Sequence, residues 1–256
     1  MNGETVPLFR VLVLSLPDSP QDLAPAFSEQ LGLNLIDARI QIHHLPGLLK
    51  PSLDRSAADR LTEEIHKAGG YAVVVNHELV PDLSHPTPLH HVRCVDEGLE
   101  IVSLEGERQL ILDWNELTLL NIGVLPLEIT RHENVDVPVV HSAPHSQDVR
   151  TEIQTMRGPE AWLIADDPLR CWVIKQTEMN YEYLGERMQT SASLNFRLLI
   201  DDIIARAKHL YLTPPARAFT GHGLFRHYAF DSDDELRENT LFHLLICRRM
   251  HNDDKS

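Results

Sequence analysis

Fifteen histidines in 256 residues are the richest source of chemistry in this chain. Several are adjacent or close: His43 with His44, His90 with His91, and His141 with His145. A protein-bound metal needs such ligands to converge at about 2 Å, with carboxylates or thiolates in support. His141 and His145 are the weak candidates for a metal site. Pro144 stands between them, which forbids the one-turn helical pairing of a metalloprotease, and no His-Glu-x-x-His segment occurs. Solvated loop histidines and a pH-sensitive surface are the competing readings. Asp231-Ser232-Asp233-Asp234-Glu235 suggests a calcium loop, but it lacks the glycine at the sixth position and the distal glutamate. A helix start with acids in its first turn accounts for it better. Gly221-His222-Gly223 is a turn, because no phosphate-loop or dinucleotide glycine pattern exists. No Gly-x-Ser-x-Gly elbow is present. The expectation is therefore a protein without a catalytic residue and without a cofactor.

The side chains that position such groups must come from folded domains, and the composition allows them. Hydrophobic residues make up 43% of the chain, enough for real cores, and the length suits one large domain or two ordinary ones. The net charge of −15 argues against nucleic acid and against an anionic membrane surface as partners, since both need clustered lysine and arginine. Cys94, Cys171 and Cys247 form no Cys-x-x-Cys pair, and so sparse a set suits a reducing compartment. Val11 to Leu16 is too short for a signal-peptide core, and no stretch reaches the length of a membrane span. Cytoplasmic localisation is expected.

Phe9 to Leu16 is a short apolar run closed by Pro17-Asp18-Ser19-Pro20, which predicts a buried strand. Asp22 is expected to cap a helix with Leu23, Phe27 and Leu31 on one face, stopped by Gly32. Leu35, Ile36 and Ile40 predict a second short element. Asp54 or Ser56 caps a helix that lines up Ala57, Ala58, Leu61 and Ile65, with Gly69-Gly70 as its stop and Tyr71 to Val75 as a strand. The order of Leu31-Gly32-Leu33, Asp37-Ala38-Arg39, Leu45 to Lys50, Ala57 to Leu61, Glu63 to Gly70 and Tyr71 to Val75 resembles the C-terminal domain of the bacterial ribosomal large-subunit stalk protein. The resemblance implies helices packed on a small antiparallel sheet. The basic, factor-recruiting surface of that family is not expected here: between residues 31 and 75, Arg39, Lys50, Arg55, Arg60 and Lys67 are balanced by Asp37, Asp54, Asp59, Glu63 and Glu64.

Pro81, Pro86 and Pro88 mark a Pro/His-rich linker over 79–92, between a small α/β sandwich at 1–78 and a β-rich domain at 93–248 with helices at its C-terminal end. Residues 249–256 are expected to be a polar tail. Within the second domain a hairpin is predicted around Glu105 to Arg108, an irregular insertion over 130–160, and a second hairpin turning at Asp166 to Leu169. A short strand is expected at Tyr181 to Leu184. A helix from Leu194 follows, buried through Leu194, Leu198, Ile203 and Ile204 with Phe196, Leu199 and Ile200, and stopped by Pro214-Pro215, and a last helix opens at Asp233. Trp114, Trp162 and Trp172 are core residues or, alternatively, an aromatic groove between the domains. Trp114-Asn115-Glu116-Leu117, Tyr183-Leu184-Gly185-Glu186 and Asn195-Phe196, over about residues 93–210, are similar to a bacterial pleckstrin-homology-like domain. That resemblance implies a binding fold with no shared active site. Arg93 and Arg108 are the only basic residues between 93 and 112, which does not suit lipid headgroups.

The fold class expected is α+β. The function expected is a non-catalytic protein-binding or regulatory module, with another protein as partner. The rival readings are an enzyme or ligand-binding protein with a His/Asp site at the domain junction, and a structural subunit of a larger assembly.

Overall fold

The structure, a computed structural model, describes residues 7–103, 106–135 and 148–253, with side chains left aside in 127–135, 148–156 and 251–253. The fold is α+β with mixed antiparallel and parallel strands. It divides into two compact units. One runs from the start of the chain to His85 and resumes at Leu236, and the other spans Pro86 to Glu235.

The first unit opens with β1 (Phe9–Ser15). A 3-10 turn and α1 (Ala24–Leu31) follow, then α2 (Leu35–His43), β2 (Gly47–Leu48), α3 (Arg55–Lys67) and β3 (Tyr71–Asn76). β1 lies in the middle of the sheet β2-β1-β3, antiparallel to both neighbours, with Leu12 opposite Leu48 on one side and Val73 on the other. Its alternate residues Val11 and Val13 join Phe27, Ala38, Ile42, Leu61 and Ile65 in one core. Asp54 caps α3 by accepting from Ala57 N at 2.9 Å, and Ala57, Ala58, Leu61 and Ile65 are all buried as their spacing predicts. Gly32 ends α1 with φ 65°, a conformation glycine takes without steric cost. One local expectation fails: Asp22 does not cap α1, whose N-cap is Leu23 with no side-chain bond. The second short element at Leu35, Ile36 and Ile40 forms as α2, which Asn34 starts in a phase that leaves those three exposed and buries Ala38 and Ile42.

The second unit contains β4 (Thr87–Leu89), β5 (Val92–Cys94), β6 (Leu99–Val102), β7 (Arg108–Leu112), β8 (Leu117–Val135), β9 (Asp148–Asp166), β10 (Leu169–Lys175), α4 (Ala192–Arg206), β11 (Tyr211–Leu212) and α5 (Pro214–Thr220). Among the described residues, β5-β6-β7 form an antiparallel meander and β11-β8-β9-β10-β4 a mixed sheet. Leu99, Ile101 and Leu112 meet Ile122, Leu163, Trp172 and Ile174 of the larger sheet and Phe196, Leu199, Ile200 and Ile203 of α4 in one core. Trp114, Trp162 and Trp172 are buried.

Several expectations are corrected here. Residues 130–135 and 148–160 are strand and not irregular, while 136–147 lie outside the described residues: β8 and β9 pair from Leu117↔Ala165 to Val135↔Asp148, with one register shift between Leu117 and Leu119. Pairing with a neighbouring strand satisfies backbone groups that local turn propensities leave open. Part of the 79–92 stretch is strand: β4 pairs in parallel with β10, as an edge strand where Pro88 removes no needed donor. Glu182–Arg187 is a 3-10 turn in place of a strand. α4 ends at Arg206, so Pro214-Pro215 begin α5 and do not stop α4. Leu194 is 51% exposed and Leu198 partly buried, so the buried stripe is the one through Phe196, Leu199, Ile200 and Ile203.

The last helix, α6 (Asp233–Asp253), changes the domain boundary. From Leu236 onward it belongs to the first unit, and not to the end of the 93–248 domain. Phe242 and Leu245 pack on Leu12, with Leu14, Leu48, Val73 and Val75 around them. Val11 to Leu14 is apolar without alternation because both faces of β1 are covered, by α1–α3 on one side and α6 on the other. The helix continues through the expected polar tail to Asp253.

Candidate functional site

In the first unit β3 is a sheet edge, paired with β1 alone among the described residues. His77 N donates to Leu8 O at 2.9 Å, which sets the alternation of the antiparallel ladder. The backbone groups of Val75 and Val73 turn toward β1, and those of Ala72, Val74 and Asn76 turn outward. At Ala72 the edge is closed by an imidazole. His66 Nε2 lies 2.8 Å from Ala72 O and 3.2 Å from Ala72 N. The His66 ring stacks on Tyr71 at 5.4 Å and 12°. Further along, the edge at Val74 and Asn76 opens onto a groove of about 500 Å³.

Leu12 and Leu245 contribute to the apolar lining of this groove, Leu79 stands exposed beside it, and residues 73–76 form its long side. Among the described residues its charged lining is Arg248 and Arg249, toward the end of α6. Arg249 Nη2 donates to Tyr71 Oη at 3.1 Å and its guanidinium lies 5.9 Å from the ring centroid. Arg248 Nη1 donates to Leu79 O at 3.1 Å. The two arginines thus tie α6 to β3 at one end and to the 3-10 turn His77–Leu79 after it at the other. The sequence pattern did not single out these residues. An adjacent arginine pair directly after the apolar Leu244-Leu245-Ile246-Cys247 run in an acidic chain is the signal that marks them.

The candidates drawn from sequence fall elsewhere. His141 and His145 lie outside the described residues. Among the described residues no three His, Cys, Asp or Glu side chains converge to hold a metal ion. At Asp231–Glu235 the helix start is realised: Glu235 N donates to Ser232 Oγ at 3.2 Å, and the Glu235 carboxylate accepts from Asp231 N at 2.7 Å. Burial pushes the Cys94 and Cys171 thiols up to about 12, which suppresses the nucleophilic thiolate.

The residues behind the second resemblance hold structure together. Trp114 Nε1 donates to Val95 O at 3.0 Å, and Glu116 pairs with Arg170 at 2.7 Å. Asn195 bonds both ways to the Gln189 backbone, accepting at 2.7 Å and donating at 2.9 Å. Tyr183 Oη donates to Asp202 at 3.1 Å, and Arg187 donates to both Asp202 oxygens at 2.9 and 2.6 Å. That fork holds the Asp202 carboxyl below its ordinary range, and burial raises the Tyr183 phenol. The network pins the 3-10 turn onto α4.

Neither protein-family models, nor curated proteins, nor solved structures show a match to this chain. No helix of the described residues is long and apolar enough to cross a membrane.

Proposed function

We propose that this protein is a non-catalytic, cytoplasmic protein-binding module, and that the groove along β3 receives part of another protein. The observation that supports it best is the coincidence of an open strand edge with an apolar cleft and two guanidiniums. Backbone groups, apolar wall and fixed charge are what recognition of a polypeptide uses. The strand–helix–helix–strand–helix–strand order through Asn76 supports the stalk-domain-like reading of the first unit. The β-sheets followed by α4 support the pleckstrin-homology-like reading of the second. Three cysteines that form no disulfide, Cys94, Cys171 and Cys247, support a reducing compartment. The net charge of −15 argues against nucleic acid and anionic membranes as partners.

Panning a random short-peptide library on the full chain tests the reading. Enriched peptides that lose binding on Leu79→Glu are the expected result. Failure to enrich any peptide, or peptides indifferent to Leu79→Glu, would overturn it.

A further inference from the structure

We propose that the occupant of the groove is an extended segment of another protein that adds to β3 as a strand and places carboxylates against Arg248 and Arg249. This rests on the protein-binding reading above and goes further by fixing the conformation and charge of the partner.

Conformation follows from the edge. The ladder alternation leaves the outward groups of Val74 and Asn76 unmet by other backbone among the described residues. An incoming strand satisfies them and a helix cannot, because its own amides are already paired. His66 Nε2 stands against the outward edge of Ala72, donating to its carbonyl or accepting from its amide according to the tautomer, so the ring blocks added pairing there and the ladder is short. Affinity must then come from side chains as well. On a strand every second residue shares a face. The residues of the segment that turn toward α6 meet Leu245 and Leu79, and those must be apolar.

Charge follows from the rim. In a chain with net charge −15, both charged residues lining the groove among the described residues are cationic. Each guanidinium is held in place, Arg249 by Tyr71 Oη and Arg248 by Leu79 O. Arginine presents several donors in a fixed fork, so a fixed guanidinium can still accept a carboxylate. A densely acidic partner would meet the repulsion of the whole molecule. The fitting segment therefore has an apolar, alternating centre with one carboxylate toward each end.

The probe is a labelled, capped peptide of alternating valine and threonine with aspartate at both ends. It is titrated against the full chain by fluorescence anisotropy, with amide hydrogen exchange as the second readout. Two controls accompany it: a lysine-ended version, and one N-methylated along the backbone of its pairing edge. Binding of the aspartate-ended peptide with slowed exchange at Val74 and Asn76 is expected. Each control, and Arg249→Ala at an unchanged melting temperature, should weaken it by at least ~10-fold, the factor that one lost charge-assisted contact gives. Equal binding of the lysine-ended peptide overturns the charge assignment, and equal binding of the N-methylated one overturns strand addition. If none of these peptides binds while library peptides sensitive to Leu79→Glu do, the partner class is wrong and the protein-binding reading stands. If both fail, both are wrong.

Discussion

Two carboxyls in the second unit respond to pH with opposite sign. Glu160 is 5% exposed, and its pKa is raised by burial, which outweighs Lys175 at 3.7 Å. A raised folded-state pKa means that stability is fully present below the ordinary glutamate pKa and falls as pH climbs through the raised value. Glu160→Gln should therefore melt higher than the parent at pH 7, with the gap closing by acid pH. A parent that melts higher than Glu160→Gln at pH 7 would show that Lys175 dominates. Asp202 has a lowered pKa, first because Arg187 hydrogen-bonds it. Its contribution is present above the ordinary aspartate pKa and vanishes as pH falls through the lowered one. Asp202→Asn should lower the melting temperature at pH 7 and converge with the parent toward pH 2. A gap of constant size across that range would mean the loss is in packing and not in charge.

Among the elements, α3 and α4 give contrasting tests of how far a helix can be read. Asp54 starts α3, and its bond to Ala57 N is the cap. Asp54→Ala should cost about 1 kcal/mol in urea unfolding, and Leu61→Ala, at a fully buried site, about 2–5 kcal/mol. On α4, Leu199 is fully buried whereas Leu194 is 51% exposed. Leu199→Ala should cost about 2–5 kcal/mol and Leu194→Ala at most about 0.5 kcal/mol. Equal costs would mean that Leu194 is as buried as Leu199. Periodicity alone leaves that choice open on α4, because Leu194, Leu198, Leu199, Ile200, Ile203 and Ile204 cover more than one face.

For the molecule as a whole, α6 is the decisive element. Stopping the chain after Glu235 strips Phe242 and Leu245 from Leu12 and bares Leu14, Val73 and Val75. Each large apolar side chain returned to water costs about 1.5–3 kcal/mol, and a domain holds only about 5–15 kcal/mol in total. The truncated chain should lose amide protection in β1 and β3 while β8 to β10 keep theirs. Retained protection in β1 would show that the first unit stands without α6.

The local elements are legible in the sequence. The apolar run from Phe9, the Asp54 cap, the stop at Gly32 and the Ser232–Glu235 helix start are settled within a few residues, where propensity and capping act. The continuous run in β1 even carries the information that both of its faces are covered, but not by what. The sequence leaves open the pairing of β8 with β9, the side of β1 that α6 covers, and the groove itself. Arg249 and Tyr71 stand 178 positions apart, and apolar patterning says that a face must be buried without saying which distant face buries it. Only the closed chain brings the arginines to an open strand edge.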